Sequence, residues 1–222
     1  MSSFRRLPSW LVRLLAIDLV LIAVTLLGEA PATGRYVALV LFNLWFGVEL
    51  YLERLSGSSS ASEEDRGSRH LLTTVRDICI IVPVGISAVF VPAGSLLLSL
   101  LGGLAYGVGL TLRLAAMASL GQRFTMALTQ QPQHTLITSG PYQRMRHPGY
   151  LGLVLIFGSF SLICGTVVTG LALSLLTIAA LHYRIQLEER LLVNTFGVTY
   201  LDYRARTWAL WPKFARSKRR AA

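Results

Sequence analysis

Two polar segments hold nearly all the side chains in this sequence that could do chemistry. The first runs His134-Thr-Leu-Ile-Thr-Ser-Gly140-Pro-Tyr142 and resumes as Arg146-His147-Pro148-Gly149-Tyr150-Leu-Gly152. Gly140-Pro141 must turn, and Pro148 behind His147 suits the first position of a helix, where a missing N–H costs nothing. Free N–H groups at such a helix start, with the rings of Tyr142 and Tyr150 nearby, suit a polar, partly anionic ligand with an aromatic base. The same residues equally suit an interfacial turn with tyrosines at headgroup level.

The second segment is Arg184-Ile-Gln-Leu-Glu188-Glu189-Arg190, followed by Phe196-Gly197, Tyr200, Tyr203 and Trp211-Pro212. Arg184 and Glu188 are four residues apart and share a helix face. A guanidinium beside a carboxylate can hold two ligand groups of opposite charge, or can be an ordinary interfacial ion pair. Glu189 points about 100° away and is expected to meet Arg190, Arg204 or Arg206.

The elements that must position these groups are apolar. Of 222 residues, 53% are hydrophobic and 14% charged, too few charges to cover a water-facing surface. Six apolar stretches lie at about Trp10–Leu27, Tyr36–Leu52, Thr74–Val91, Ser95–Ala118, Gly149–Cys164 and Thr166–Leu187. A spanning helix takes roughly 17–25 residues; the third stretch is interrupted by Pro83 and the fifth is short. Pro92-Ala93-Gly94 and Gly165 mark tight joints, the latter closing a helical hairpin.

The predicted fold is therefore an all-α integral membrane protein of about six transmembrane helices. With the N-terminus inside, Arg35 is the only one of 21 Lys and Arg residues on the outer side. That asymmetry places both termini in the cytoplasm and makes the C-terminal third a cytoplasm-facing site. The first stretch contains Arg13 and Asp18 and reads as a retained anchor rather than a signal peptide. The organisation expected is 1–118 as four membrane spans with a cytoplasmic loop near 56–70, 119–214 as the site-bearing region, and 215–222 as a basic tail against anionic headgroups. The membrane would be the cell inner membrane in a bacterium or the endoplasmic reticulum in a eukaryote.

The net charge of +10 flanks apolar runs instead of forming an aromatic-interleaved stripe, which argues against a nucleic-acid partner. Cys79 and Cys164 lie far apart in apolar runs, so no metal site and no disulfide framework is indicated. Asp18, Asn43, Glu49 and Arg113 fall at or near hydrocarbon depth. They are read as structural, Arg113 and Glu49 by snorkelling and Asp18 by pairing with a neighbouring helix. Gly103 and Gly107 form a G-x-x-x-G expected to permit close helix packing.

Taken together, the two polar segments resemble the isoprenylcysteine carboxyl methyltransferase family and its phospholipid methyltransferase relatives, over about Ser119 to Phe214. The likeness lies in the order of H-T-L-I-T-S-G-P-Y, R-H-P-x-Y-x-G, a hairpin of two spans, and E-E-x-x-L-x-x-x-F-G-x-x-Y. It implies S-adenosylmethionine contacts at His134, Thr135, Leu136, Ile137, Tyr142, His147, Pro148, Gly149, Tyr150 and Glu188, with Gln130 or Gln131 as a further polar contact. It also implies that Arg184 meets a substrate carboxylate, making Arg184 and Glu188 the catalytic pair. The expected substrate is a lipophilic carboxylate, above all a C-terminal isoprenylcysteine. Family members often carry acidic residues where Gln186 and Leu187 stand here.

Three other functions fit parts of the pattern. A phospholipid amine or lipophilic thiol methyltransferase would share the cofactor motifs. A sterol-reductase-like oxidoreductase would bind a nicotinamide instead. A membrane scaffold would explain the hydropathy but not the two polar segments. Phe196–Pro212 is expected to cover the cofactor as a lid.

Overall fold

The computed structural model describes residues 9–28, 33–55, 67–90, 95–121 and 136–210. Among them every long element is a helix: α1 (Ser9–Leu27), α2 (Thr33–Leu55), α3 (Ser68–Val89), α4 (Leu96–Leu120), α5 (Pro148–Ile163), α6 (Val167–Phe196) and α7 (Val198–Arg206). A 3₁₀ turn, Gly140–Gln143, precedes α5. Four helices, within α2, α3, α4 and α6, are long and apolar enough to cross a membrane. Pro83 sits inside α3 without ending it, so the interruption expected there is absorbed. The six expected stretches fall on helices α1 to α6, of which, among the described residues, α2, α3, α4 and α6 have the length and hydropathy of a span. Residues 56–66 of the expected cytoplasmic loop, the Pro92-Ala93-Gly94 joint and the basic tail lie outside the described residues.

Leucine-rich faces turn outward at Leu100, Leu104, Leu171 and Leu175, as a lipid solvent requires. The interior is aromatic: Trp45 meets Phe157 edge-on at 5.3 Å and Phe42 meets Phe160 at 6.3 Å, tying α2 to α5.

Lipid offers little hydrophobic drive between helices, so close backbone approach has to supply packing. It does so between α4 and α5, but not at the glycines first expected. A Cβ on Gly152 would lie 2.7 Å from the Gly109 carbonyl oxygen, and one on Gly109 would lie 2.8 Å from that of Gly152. Gly102 is likewise closed in by Ser159 and Ile163, whereas Gly103 and Gly107 face open space. Gly102 and Gly109 are seven apart and share one face; Gly103 is turned about 100° from it.

Charged side chains described inside the bundle find partners on neighbouring helices. Arg113 forks onto Glu49, Nε to Oε1 at 2.8 Å and Nη2 to Oε2 at 3.0 Å. Arg113 is 8% exposed, so the expected snorkelling does not occur; a carboxylate on α2 is nearer than water. Asn43 donates to Asp18 at 3.0 Å, the inter-helix pairing expected for Asp18. Arg13 meets Asp77 at 2.6 Å. Arg35, the cation assigned to the outer side, is buried and donates to the Ser87 carbonyl at 3.0 Å.

The C-terminal hairpin is asymmetric. Gly165, at φ +75°, makes the turn between α5 and α6 in a conformation that costs other residues energy. α5 has 16 residues and α6 has 30, about 24 and 45 Å. α6 therefore overshoots its partner, and the overshoot begins near Arg184.

Candidate functional site

Antiparallel pairing in the hairpin brings the start of α5 level with Arg184 and Glu188. The Tyr150 hydroxyl stands between the two. It accepts from Arg184 Nε at 3.0 Å and donates to Glu188 Oε2 at 2.6 Å. The sequence placed guanidinium and carboxylate side by side; the structure inserts a phenol from α5 between them. Arg184 is 5% exposed, while 29% of the Glu188 side chain remains open. Arg184 also donates from Nη1 to Ser68 Oγ at 2.8 Å, a contact from α3.

Glu189 points to a second set of partners. It accepts from Arg146 Nε at 2.7 Å, lies 3.4 Å from Arg204, and has His147 Nε2 at 3.4 Å. Arg204 was among the partners expected; Arg146 and His147 were not. Both were legible as members of the R-H-P motif, but helix geometry alone cannot say what a separate chain segment brings alongside. The His147 ring is buried, stacks on Tyr150 at 5.4 Å and 7°, and holds Nδ1 3.7 Å from Glu188. Histidine and tyrosine thus form one aromatic wall beside the two glutamates.

The motif glycines have identifiable neighbours. Gly140 adopts φ +60°, and a Cβ there would lie 2.8 Å from Ser119 Oγ of α4. Gly149 lies against Arg113: a Cβ would be 3.1 Å from Nη1. Pro148 is buried at the first turn of α5. The side of Gly149 that a Cβ would occupy faces α4, so any ligand contact there must be through backbone.

Tyr142 is half-buried. Burial, with the Glu188 charge adding to it and Arg113 opposing, pushes its phenol above the ordinary range. It therefore stays neutral over physiological pH and lies within electrostatic reach of both charges. Leu136 and Ile137 are half-buried in the strand of chain entering the 3₁₀ turn. His134, Thr135, Gln130 and Gln131 lie outside the described residues.

The segment after α6 is tied down. Arg146 N donates to the Trp208 carbonyl at 2.8 Å and His147 N to that of Ala209 at 2.9 Å. The Arg146 guanidinium also donates to the carbonyls of Arg204 and Thr207. Tyr203, its phenol pushed up by burial to about 12, donates to the Tyr142 carbonyl at 2.7 Å. A shallow concavity lined by Arg146, Arg204, Thr207, Trp208 and Leu210 lies along this seam. Its lining includes Arg146 and Arg204, both partners of Glu189, but not Tyr150, so the chemistry-bearing cluster is the site and the concavity its flank.

A bundle of apolar helices with a charged, hydroxyl-linked cluster at the mouth of its last hairpin defines an integral, multi-pass membrane protein with a polar site. Residues 104–194 match the model of the isoprenylcysteine carboxyl methyltransferase (ICMT) family. The chain is similar to the protein-S-isoprenylcysteine O-methyltransferase of Schizosaccharomyces pombe, 36% identical over 99 residues, 44% of this chain and 42% of that protein. Enzyme A of the same name from Arabidopsis thaliana is 35% identical over 99 residues, 43% and 50% of the two chains. The Homo sapiens protein of that name is 34% identical over 112 residues, 49% of this chain and 39% of its own. The matched segment thus spans half or less of the length of these relatives. A solved structure of a eukaryotic intramembrane Ras methyltransferase, ICMT, superposes with TM-score 0.61 at 19% identity, over 90% of this chain and 74% of that one. That likeness is one of fold.

Proposed function

We propose that this protein transfers a methyl group from S-adenosylmethionine to the carboxylate of a lipophilic acceptor, a C-terminal isoprenylcysteine in the first instance. The observation that carries the proposal is the Arg184–Tyr150–Glu188 chain, with one closed cation and one partly open carboxylate on the same helix face. The donor set fits the cofactor. Glu188 offers a carboxylate to its ammonium group, and Tyr142, His147 and Tyr150 offer rings to its base. S-adenosylmethionine, when bound, supplies a methyl group already activated on a sulfonium.

The protein's own task is placement. An acceptor carboxylate is ionised at neutral pH and needs no general base. Arg184 orients it through a charge-assisted fork, while Tyr150 and Ser68 keep the guanidinium from swinging. The buried His147–Tyr150 wall excludes water from the same side. The segment after α6, pinned to Arg146 and His147 through the Trp208 and Ala209 carbonyls, would serve as a lid. Residues 119–214 carry these functions, with 1–118 as their scaffold.

A membrane setting follows from the acceptor. A farnesyl chain, at about 0.8 kcal/mol per carbon, gains on the order of 10 kcal/mol gross by staying in lipid. A site at the cytoplasmic boundary of six spans, both termini inside, takes lipid laterally and cofactor from water. Labelling of cysteines introduced in 56–62 should then require access from the cytoplasmic side.

Calorimetry of detergent-solubilised protein tests the cofactor directly. The expected result is a saturable isotherm with S-adenosylmethionine and base-labile methylation of N-acetyl-S-farnesylcysteine. An isotherm with NADPH alone, or methylation of an amine or thiol acceptor in place of the carboxylate, overturns the reading.

A further inference from the structure

The sequence likeness to methyltransferases begins in α4, yet one contact to the acceptor arginine comes from α3. Ser68 is the first residue of α3 and is wholly buried. Gly67 ahead of it sits at φ +74°, a left-handed turn that lets the chain enter the helix directly over α6. Ser68 Oγ accepts from Arg184 Nη1 at 2.8 Å across 116 residues of sequence. Tyr150 Oη accepts from Nε of the same guanidinium at 3.0 Å.

A guanidinium is a rigid plane on a flexible stem, so one hydrogen bond leaves it free to rotate about that bond. Two bonds at separate nitrogens, from different helices, fix the plane. Ser68 and Tyr150 both act through neutral hydroxyls, which add direction to the guanidinium without adding charge. A carboxylate in the place of Ser68 would hold the plane as well but would compete with the acceptor.

We propose that Ser68 is a positioning residue of the acceptor site, acting through Arg184, so that the N-terminal half of the chain helps set acceptor affinity. This rests on the reading of Arg184 as the ligand of the acceptor carboxylate. It assigns Ser68 no contact with the methyl donor.

The test uses the full chain in detergent, with N-acetyl-S-farnesylcysteine as acceptor and S-adenosylmethionine as donor. Ser68→Ala should raise the acceptor KM about tenfold, the scale of a lost hydrogen bond to a charged group. Calorimetric affinity for S-adenosylmethionine should stay at the wild-type value. Ser68→Thr, which keeps the hydroxyl, should recover most of the loss. In an Arg184→Ala background, Ser68→Ala should add nothing further, because the group it positions is gone. An unchanged KM in Ser68→Ala overturns the proposal, as does equal weakening of donor and acceptor binding with a lowered Tm, or full additivity with Arg184→Ala. Wild-type protein that neither binds S-adenosylmethionine nor methylates the acceptor overturns the methyltransferase reading itself, a result visible before any variant is compared.

Discussion

Charged residues in the interior of the bundle and at the mouth of the last hairpin are of the same types, yet the structure uses them in opposite ways. Inside, Arg113 spends its fork on Glu49, and Asp18 is matched by Asn43. At the mouth, Arg184 and Glu188 are joined through the neutral Tyr150 hydroxyl, and the Glu188 side chain stays 29% open. A closed ion pair satisfies itself and has nothing to offer a ligand. A carboxylate held through a hydroxyl, with part of its side chain open, still has something to offer. The difference teaches that intramembrane charge alone does not mark a site; how it is partnered does.

The sharpest way to break this comparison is to break the interior pair. Arg113→Ala leaves the largely enclosed Glu49 without its cation, which should cost about 3 kcal/mol, the low end for a broken buried pair. Thermal denaturation in detergent should show it as a large fall in Tm. Replacing both partners, Arg113→Met with Glu49→Leu, should restore most of that loss. A single variant as stable as wild type would mean that the fork is not structural.

The mouth should respond in activity and not in stability. Arg184→Ala should reduce acceptor kcat/KM by roughly 10- to 150-fold, the equivalent of about 1.5–3 kcal/mol, with donor binding spared. Glu188→Ala should instead weaken S-adenosylmethionine binding in calorimetry. If both variants lose Tm together and keep full specific activity per folded molecule, the two regions are the same kind of ion pair and the contrast fails.

Gly152→Ala comes next in size. Its Cβ would meet the Gly109 carbonyl, which is backbone and cannot rotate away. A cost of about 1–3 kcal/mol is expected from the overpacking, read as lowered Tm, whereas Gly103→Ala should be neutral. Equal effects at the two glycines would show that α4 and α5 do not meet as described. The smallest effect belongs to Asn43→Ala, since single polar contacts between membrane helices average about 0.6 kcal/mol. A loss several times larger would make the Asp18 pair a second interior strut.

Composition and periodicity sufficed for the helical class and for six elements with nearly the right bounds. In lipid each helix must satisfy its own backbone, so local sequence decides whether one forms. The order of G-P-Y, R-H-P and E-E was equally local, and it pointed to the residues the hairpin brings together. What the chain could not disclose from spacing alone was which separate segments meet. Tyr150 between Arg184 and Glu188, Arg146 on Glu189, and Ser68 reaching Arg184 from α3 depend on how far α6 overshoots α5 and how α3 crosses both. The register that sets those contacts comes from backbone approach at Gly102, Gly109 and Gly152, where tenths of an ångström decide fit. Gly103 and Gly107 have the same residue type in a better-known pattern, and only packing assigns them to lipid.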